Sequence, residues 1–396
     1  MKIKKLSVSL MSAALLVSAL TACSGSKTPA PAKGSETAES AGTADTANTA
    51  DSTGTADGKG LKIAIVTSPS GVDDGSFNQD NYDGIQSFIA SSPGATVKAI
   101  REVDVNNSVP SVESIVSDYD VIVTPGYQFA GIAQVAADNP DKKFILVDSF
   151  PADDAVLDNI YAMTFAEQES GFFAGIAAAL ETKTNKVAVV NGIAYPSNVN
   201  YQFGFESGVN YANEKLGTSA ETVEIVSYAG TDVTGANVGG NYVGTFDDEA
   251  AGKVVGEALL KEGVDIIFVA AGGSGNGVFT AVKENGNAFV IGCDVDQFDD
   301  GVNGDKNIIL TSALKVMSIN VERALTAIND GSFKGGNVVL GVDTDSAGYV
   351  KEAGRQQLSD DSLAKLEEAY ALVKDGTIVP ASNFNGYTPE DFPGLK

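Results

Sequence analysis

From Leu61 onward, short apolar runs alternate with stretches whose apolar residues recur at helical spacing. Leu61–Val66, Val97–Val103, Tyr119–Thr124 and Lys143–Val147 read as buried strands, with helices near Phe77–Ala90, Val109–Ser117 and Phe129–Asp138 between them. The same succession then recurs. Strands are expected at Lys186–Val190, Val223–Tyr228, Asp265–Ala270 and Ala288–Gly292, with helices near Asn198–Lys215, Asp248–Glu262 and Gly277–Glu284. Strands joined through helices of that length imply right-handed crossovers and parallel sheets covered on both faces. The pattern therefore predicts an α/β protein of two doubly wound lobes.

Both arrays end on a strand that finishes in an acid, Phe144-Ile-Leu-Val-Asp148 and Phe289-Val-Ile-Gly-Cys-Asp294. Ligands of open parallel sheets gather beyond the carboxyl ends of the strands. Each aspartate alone could simply cap a turn, but their matched placement favours one shared cleft. The first strand runs into Thr67-Ser-Pro-Ser-Gly-Val-Asp-Asp-Gly-Ser-Phe-Asn-Gln79, a loop of turn formers in which Ser76 is the expected N-cap. Phe77 and Asn78 follow on the first turn of the helix. Phe246, in Asn241-Tyr-Val-Gly-Thr-Phe-Asp-Asp248, holds a similar junction in the second array. Two such rings could clamp a flat ligand, or each could staple its own helix. Lys315 closes the run Ile308-Ile-Leu-Thr-Ser-Ala-Leu-Lys315, where it is either a surface charge or a donor beside Asp294.

Two motifs carry less. Ala270-Ala-Gly-Gly-Ser-Gly-Asn-Gly277 lacks the complete dinucleotide pattern and a phosphate-loop lysine, so it marks only a close backbone approach. Asp294-Val-Asp-Gln-Phe-Asp-Asp-Gly301 places Phe298 at the fifth position of a calcium-type loop and has no closing glutamate, so no metal is expected.

The segment before Leu61 is of another kind. Lys2, Lys4 and Lys5 precede an apolar run from Leu6 to Leu20, too short for a stable bilayer span and suited to a secretory signal over residues 1–22. Leu20-Thr21-Ala22-Cys23 resembles the lipobox of bacterial lipoproteins, which implies that Cys23 becomes a lipidated N-terminus. Residues 23–60 lack aromatic and branched aliphatic side chains and read as a disordered tether, with a reach of roughly 35 Å.

Charge narrows the function. The chain carries a formal net charge of −26, and its first 60 residues hold six lysines against five acids, so the excess lies in the body. Such a body repels phosphate backbones and excludes nucleic acid as a partner. The chain contains no histidine, which removes the commonest general base and every Ser-His-Asp or Cys-His arrangement. Cys293, inside an apolar run, reads as a small core residue rather than a nucleophile.

Taken together, these residues resemble the basic membrane protein family, the nucleoside-binding lipoprotein subunits of ABC importers. The resemblance spans residues 61–396. It is most specific at Asp73-Asp-Gly-Ser-Phe-Asn-Gln79, Phe144-Ile-Leu-Val-Asp148, Phe165-Ala-Glu-Gln-Glu-Ser-Gly171, Ala270-Ala-Gly-Gly273, Ile291-Gly-Cys-Asp-Val-Asp-Gln297 and Thr311-Ser-Ala-Leu-Lys315. It implies a type I periplasmic-binding-protein fold that closes on its ligand by a hinge. Residues 61–163 and 311–336 would form the N-terminal lobe, and 164–310 and 337–396 the C-terminal lobe. Phe77 and Phe246 would sandwich a purine, Asn78 would read its edge, and Asp148, Asp294 and Lys315, with backbone near Gly273, would hold ribose hydroxyls. Where the family often has an aspartate after strand one, this chain has Ser68, so the base preferred is open.

The resulting expectation is a monomeric, extracytoplasmic, lipid-anchored binding protein without cofactor or catalytic residues. It would hand nucleosides, purine nucleosides foremost, to a membrane ABC permease. Rivals are a receptor for sugars or other small polar solutes on the same fold, a nucleoside hydrolase using Asp148 or Asp294 as base, and a surface sensor or adhesin in which the fold binds a partner protein.

Overall fold

The structure, a computed structural model, describes residues 60–389. The expected signal, Cys23 and the tether up to residue 59 lie outside the described residues. The first array runs β1 (Lys62–Thr67), α1 (Phe77–Ser91), β2 (Thr96–Arg101), α2 (Ser108–Ile115), β3 (Val121–Pro125), α3 (Ala133–Asp138), β4 (Lys143–Val147) and β5 (Ile160–Phe165). The second begins with α4 (Glu167–Glu181), β6 (Lys186–Asn191), α5 (Pro196–Lys215) and β7 (Glu221–Thr222), then a small ribbon of β8 (Gly230–Thr231) and β9 (Asn237–Gly239). It continues with α6 (Glu249–Lys261), β10 (Ile266–Ala270), α7 (Gly275–Asn285), β11 (Phe289–Asp294), a second ribbon of β12 (Val302–Asn303) and β13 (Lys306–Asn307), and β14 (Ile309–Lys315). The chain ends with α8 (Met317–Asn329), β15 (Gly336–Leu340), β16 (Ala347–Tyr349) and α9 (Asp360–Lys374).

Two six-stranded sheets result, ordered β15-β5-β4-β3-β1-β2 and β16-β14-β11-β10-β6-β7. All pairings in the first are parallel; in the second only the edge strand β16 is antiparallel. Central strands are apolar on both faces because helices cover both. Ile63, Ala64, Ile65 and Val66 of β1 are all fully buried, two on each side of the sheet. The two-lobe α/β architecture predicted from the pattern is thus the one observed.

Three differences are informative. The expected strand Val223–Tyr228 is not a strand: β7 stops at Thr222, and a 3₁₀ turn occupies Val226–Tyr228. The cause is Asn241, fully buried, whose amide accepts from Ile225 N and donates to Val223 O and Val189 O, taking the place of a ladder. The lobe crossings also fall later than expected. β14 pairs with β11 through Asp294↔Leu314, so residues 311–315 stay in the second sheet, and β15 pairs with β5 through Leu340, so 337–340 stay in the first. The chain passes between lobes at three places, before α4, before α8 and after β15. Lastly, α4 was not foreseen: its run from Ser170 to Ala179 is buried all round, so it shows no polar stripe. It lies so close to α5 that a Cβ on Gly175 would stand 2.0 Å from the Phe205 carbonyl oxygen.

Candidate binding site between the two sheets

The loop after β1 is organised by a buried carboxyl group. Asp74 accepts from the backbone N–H of Ser76 (3.1 Å), Asn78 (2.9 Å) and Gln79 (3.0 Å), and so caps α1. Ser76, the expected cap, holds the N-cap position without capping; its hydroxyl instead donates across the cleft to Asp294 Oδ2 at 3.1 Å. Burial pushes the Asp74 pKa up against the pull of these donors. Asn78 gives both amide hydrogens away, to Asp74 Oδ2 (2.8 Å) and Ser68 Oγ (3.0 Å). Its Oδ1 is buried with no hydrogen-bond partner. That leaves an acceptor on Asn78 and a hydroxyl proton on Ser68 at the wall of one cavity. One turn on, Asp80 accepts from Met317 N and Ser318 N and caps α8, fastening α1 to the second crossing.

Asp148 and Asp294 do meet in one cleft. Each follows or ends its strand in the left-handed region, at φ 66° and 69°. Lys315, the last residue of β14, stands between them, with Nζ 2.6 Å from Asp148 Oδ1 and 4.0 Å from Asp294 Oδ1. Glu167, the first residue of α4, puts Oε1 3.3 Å from the same ammonium. Burial opposes the charge on Lys315, but the three carboxyl groups outweigh it and hold its pKa above the ordinary lysine value. Tyr201 on α5 donates to Asp294 Oδ1 at 3.0 Å, and Asn200 donates to Glu167 Oε2 at 3.1 Å.

Aromatic rings line the rest. Phe77 lies 5.3 Å from the Lys315 ammonium, as does Tyr201. Phe246 packs so tightly on Gly192 that a Cβ there would come within 2.2 Å of its ring. Tyr195 backs it at 6.0 Å and in turn meets Tyr127 of the first lobe at 5.3 Å. Ser70 Oγ also bridges the lobes, donating to the Phe246 carbonyl at 3.2 Å. These cross-cleft bonds hold the two lobes closed around a cavity of about 600 Å³, counting open solvent at its mouth.

Of the residues singled out in the sequence, Ser68, Phe77, Asn78, Asp148, Phe246, Asp294 and Lys315 all line this cavity. Gly273 does not; Gly272, at φ +52°, lines it instead, while Gly273 sits behind against the Phe246 carbonyl. Tyr195, Tyr201, Asp74 and Glu167 were missed. The helix start at Glu167 and the loop that holds Asp74 beside Phe77 and Asn78 could have signalled these two, whereas Tyr195 and Tyr201 come from the start of α5, far from the other site residues in sequence. Among the described residues no cluster of acids, cysteine or histidine is arranged to hold a metal ion.

The sequence model described as "ABC transporter substrate-binding protein PnrA-like", that of the Bmp family, matches residues 61–236 and 226–375. A Listeria monocytogenes protein named "CD4+ T-cell-stimulating antigen" is 31% identical over 340 residues, 81% of this chain and 88% of its own length. The Lactococcus lactis "ABC transporter nucleoside-binding protein BmpA" is 29% identical, over 80% of this chain and 87% of that protein. "Basic membrane protein A" of Borreliella burgdorferi is 28% identical, over 80% and 86%. In fold, the chain is similar to an ABC transporter solute-binding protein of Aeropyrum pernix, with TM-score 0.70 at 24% identity, covering 82% of this chain and 94% of that one. A solute-binding protein of Conexibacter woesei superposes with TM-score 0.60 at 19% identity, covering 81% and 99%. The chain belongs to the Bmp family of PnrA-like substrate-binding proteins of ABC transporters, which are not enzymes.

Proposed function

We propose that this substrate-binding protein receives nucleosides, purine nucleosides foremost, in the cleft between its lobes and delivers them to an ABC permease. It would work outside the cytoplasmic membrane, tethered as a monomer through lipid on Cys23. The observation that carries the reading is the division of one cavity into two kinds of wall. Asp148, Asp294 and Lys315 offer paired acceptors and a donor suited to vicinal hydroxyls, and Phe77 and Phe246 offer flat apolar surface. The free acceptor of Asn78 and the hydroxyl of Ser68 supply a neutral pair for the edge of a base. The name of the Lactococcus lactis relative supports the ligand class. Hinge closure would exclude water from the polar contacts and strengthen them.

The test is a thermal-shift screen on the chain from Ser24 onward, unfolded and refolded to strip carried-over ligand. A nucleoside at a hundredfold its Kd adds about 2.7 kcal/mol, whereas nucleotides and sugars leave the melting temperature unchanged. Replacing Phe77 and Phe246 together with Ala abolishes that response. A sugar response that survives the double replacement would instead establish the polar-solute receptor.

A further inference from the structure

Three carboxyl groups share one ammonium in this cleft, and their surroundings are unequal. Asp148 takes the short contact to Lys315 at 2.6 Å, and Asp294 receives two hydroxyl donors, from Ser76 and Tyr201. Glu167 is the most deeply buried, with 2% of its side chain exposed, and its Oε1, although 3.3 Å from the Lys315 ammonium, makes no hydrogen bond. A buried carboxylate oxygen without a well-directed hydrogen bond is costly, whereas a protonated one can itself donate. The groups facing Glu167 are Lys315 at the end of β14, Asp148 beyond β4, Asp294 at the end of β11, and Asn200 and Tyr201 on α5. Only Asp148 belongs to the first lobe. Opening the cleft therefore withdraws Asp148, admits water and leaves Lys315 to Glu167; closing it returns the ammonium to Asp148.

We propose that Glu167 is a positioning residue that takes up a proton when the cleft closes on ligand, so that Lys315 is committed to Asp148 and the bound solute. The proposal rests on the solute-binding reading above and extends it to proton linkage. The direction follows from the closed geometry. Burial first, then the charge of Asp148, push the Glu167 pKa up to about 8, although Lys315 pulls it down. In the open cleft, hydrated and closer to the ammonium, Glu167 ionises at lower pH. Between those two values closure binds a proton, so affinity falls by up to about tenfold per pH unit and levels off above about 8.

Two measurements test this. At pH 7 in saturating adenosine, the infrared difference between wild type and Glu167→Gln should contain a protonated-carboxyl stretch that is weak or missing without the nucleoside; its absence from the bound protein would overturn the neutral acid. Calorimetry of adenosine binding in phosphate and in Tris at pH 7.5 should show proton uptake by the wild type and none by Glu167→Gln, whose affinity should also be flat from pH 6 to 9. Wild-type affinity that is itself flat over that range would overturn the linkage without requiring the variant. Failure of every nucleoside to bind would refute the nucleoside reading and the linkage with it, whereas nucleoside binding without proton uptake would refute the linkage alone.

Discussion

Lys315 is the residue on which the charges of the cleft depend. It is 3% exposed and, among the described residues, is the only cation within 4.0 Å of Asp148, Glu167 and Asp294. Changing it to Met keeps the length of the stem but leaves three buried acids uncompensated. The expected cost is about 3–5 kcal/mol, read as a lower urea midpoint at unchanged slope. An unaltered midpoint would mean that the acids carry their own compensation. At this scale the sequence was legible where a side chain stands at the carboxyl end of a strand, as Asp148, Asp294 and Lys315 do. It was not legible for Tyr201, whose hydroxyl reaches Asp294 from the second turn of α5, because nothing in the spacing of a buried helix marks which tyrosine turns toward a cleft.

Two helix starts beside the cleft, those of α1 and α8, are capped by side chains other than their N-cap residues, whereas Asp248 and Ser359 cap α6 and α9 from the N-cap position. Asp74 supports α1 from the loop, and Asp80 of α1 supports α8 after the chain has crossed between lobes. Asp74→Ala should therefore cost about 1–2 kcal/mol and speed hydrogen exchange at the amides of Asn78 and Gln79. Ser76→Ala should leave those two amides as protected as in the wild type. Equal effects of the two replacements would return the cap to Ser76. The turn-rich loop and the helix after it were evident from the sequence, but which acid caps it was not. Sequence rules place a cap next to its helix, and here the adjacent serine is drawn away by Asp294 on the other lobe. Similarly, the strand expected at Val223–Tyr228 fails because Asn241, distant in sequence, supplies its hydrogen bonds.

For the whole molecule, alternation of strands and helices gave the two lobes, whereas the crossings depend on how far each ladder runs and are not written in local pattern. One global property follows from buried acids near those crossings. With the lobes closed, Glu167 and Glu169, pushed by burial to about 8 and about 7, hold protons that the unfolded chain releases near 4.5. Between 4.5 and those values the native state binds more protons, so its stability declines as pH rises and is steady above about 8. Denaturation at pH 5 and pH 8.5 should show this component, reduced in Glu169→Gln; a component of opposite sign would refute it. Cys293 adds a different use for the closed cleft. Its thiol is 3% exposed, lines the cavity and is held protonated by burial and by Asp294 beside it. In a chain that starts at Ser24 it is the sole sulfhydryl. Alkylation must then wait for the lobes to part, which makes the rate of iodoacetamide incorporation a clock for spontaneous opening. A saturating solute, at a hundred times its Kd, should slow that clock about a hundredfold, and an unchanged rate would mean that reagent reaches the sulfur without the lobes separating.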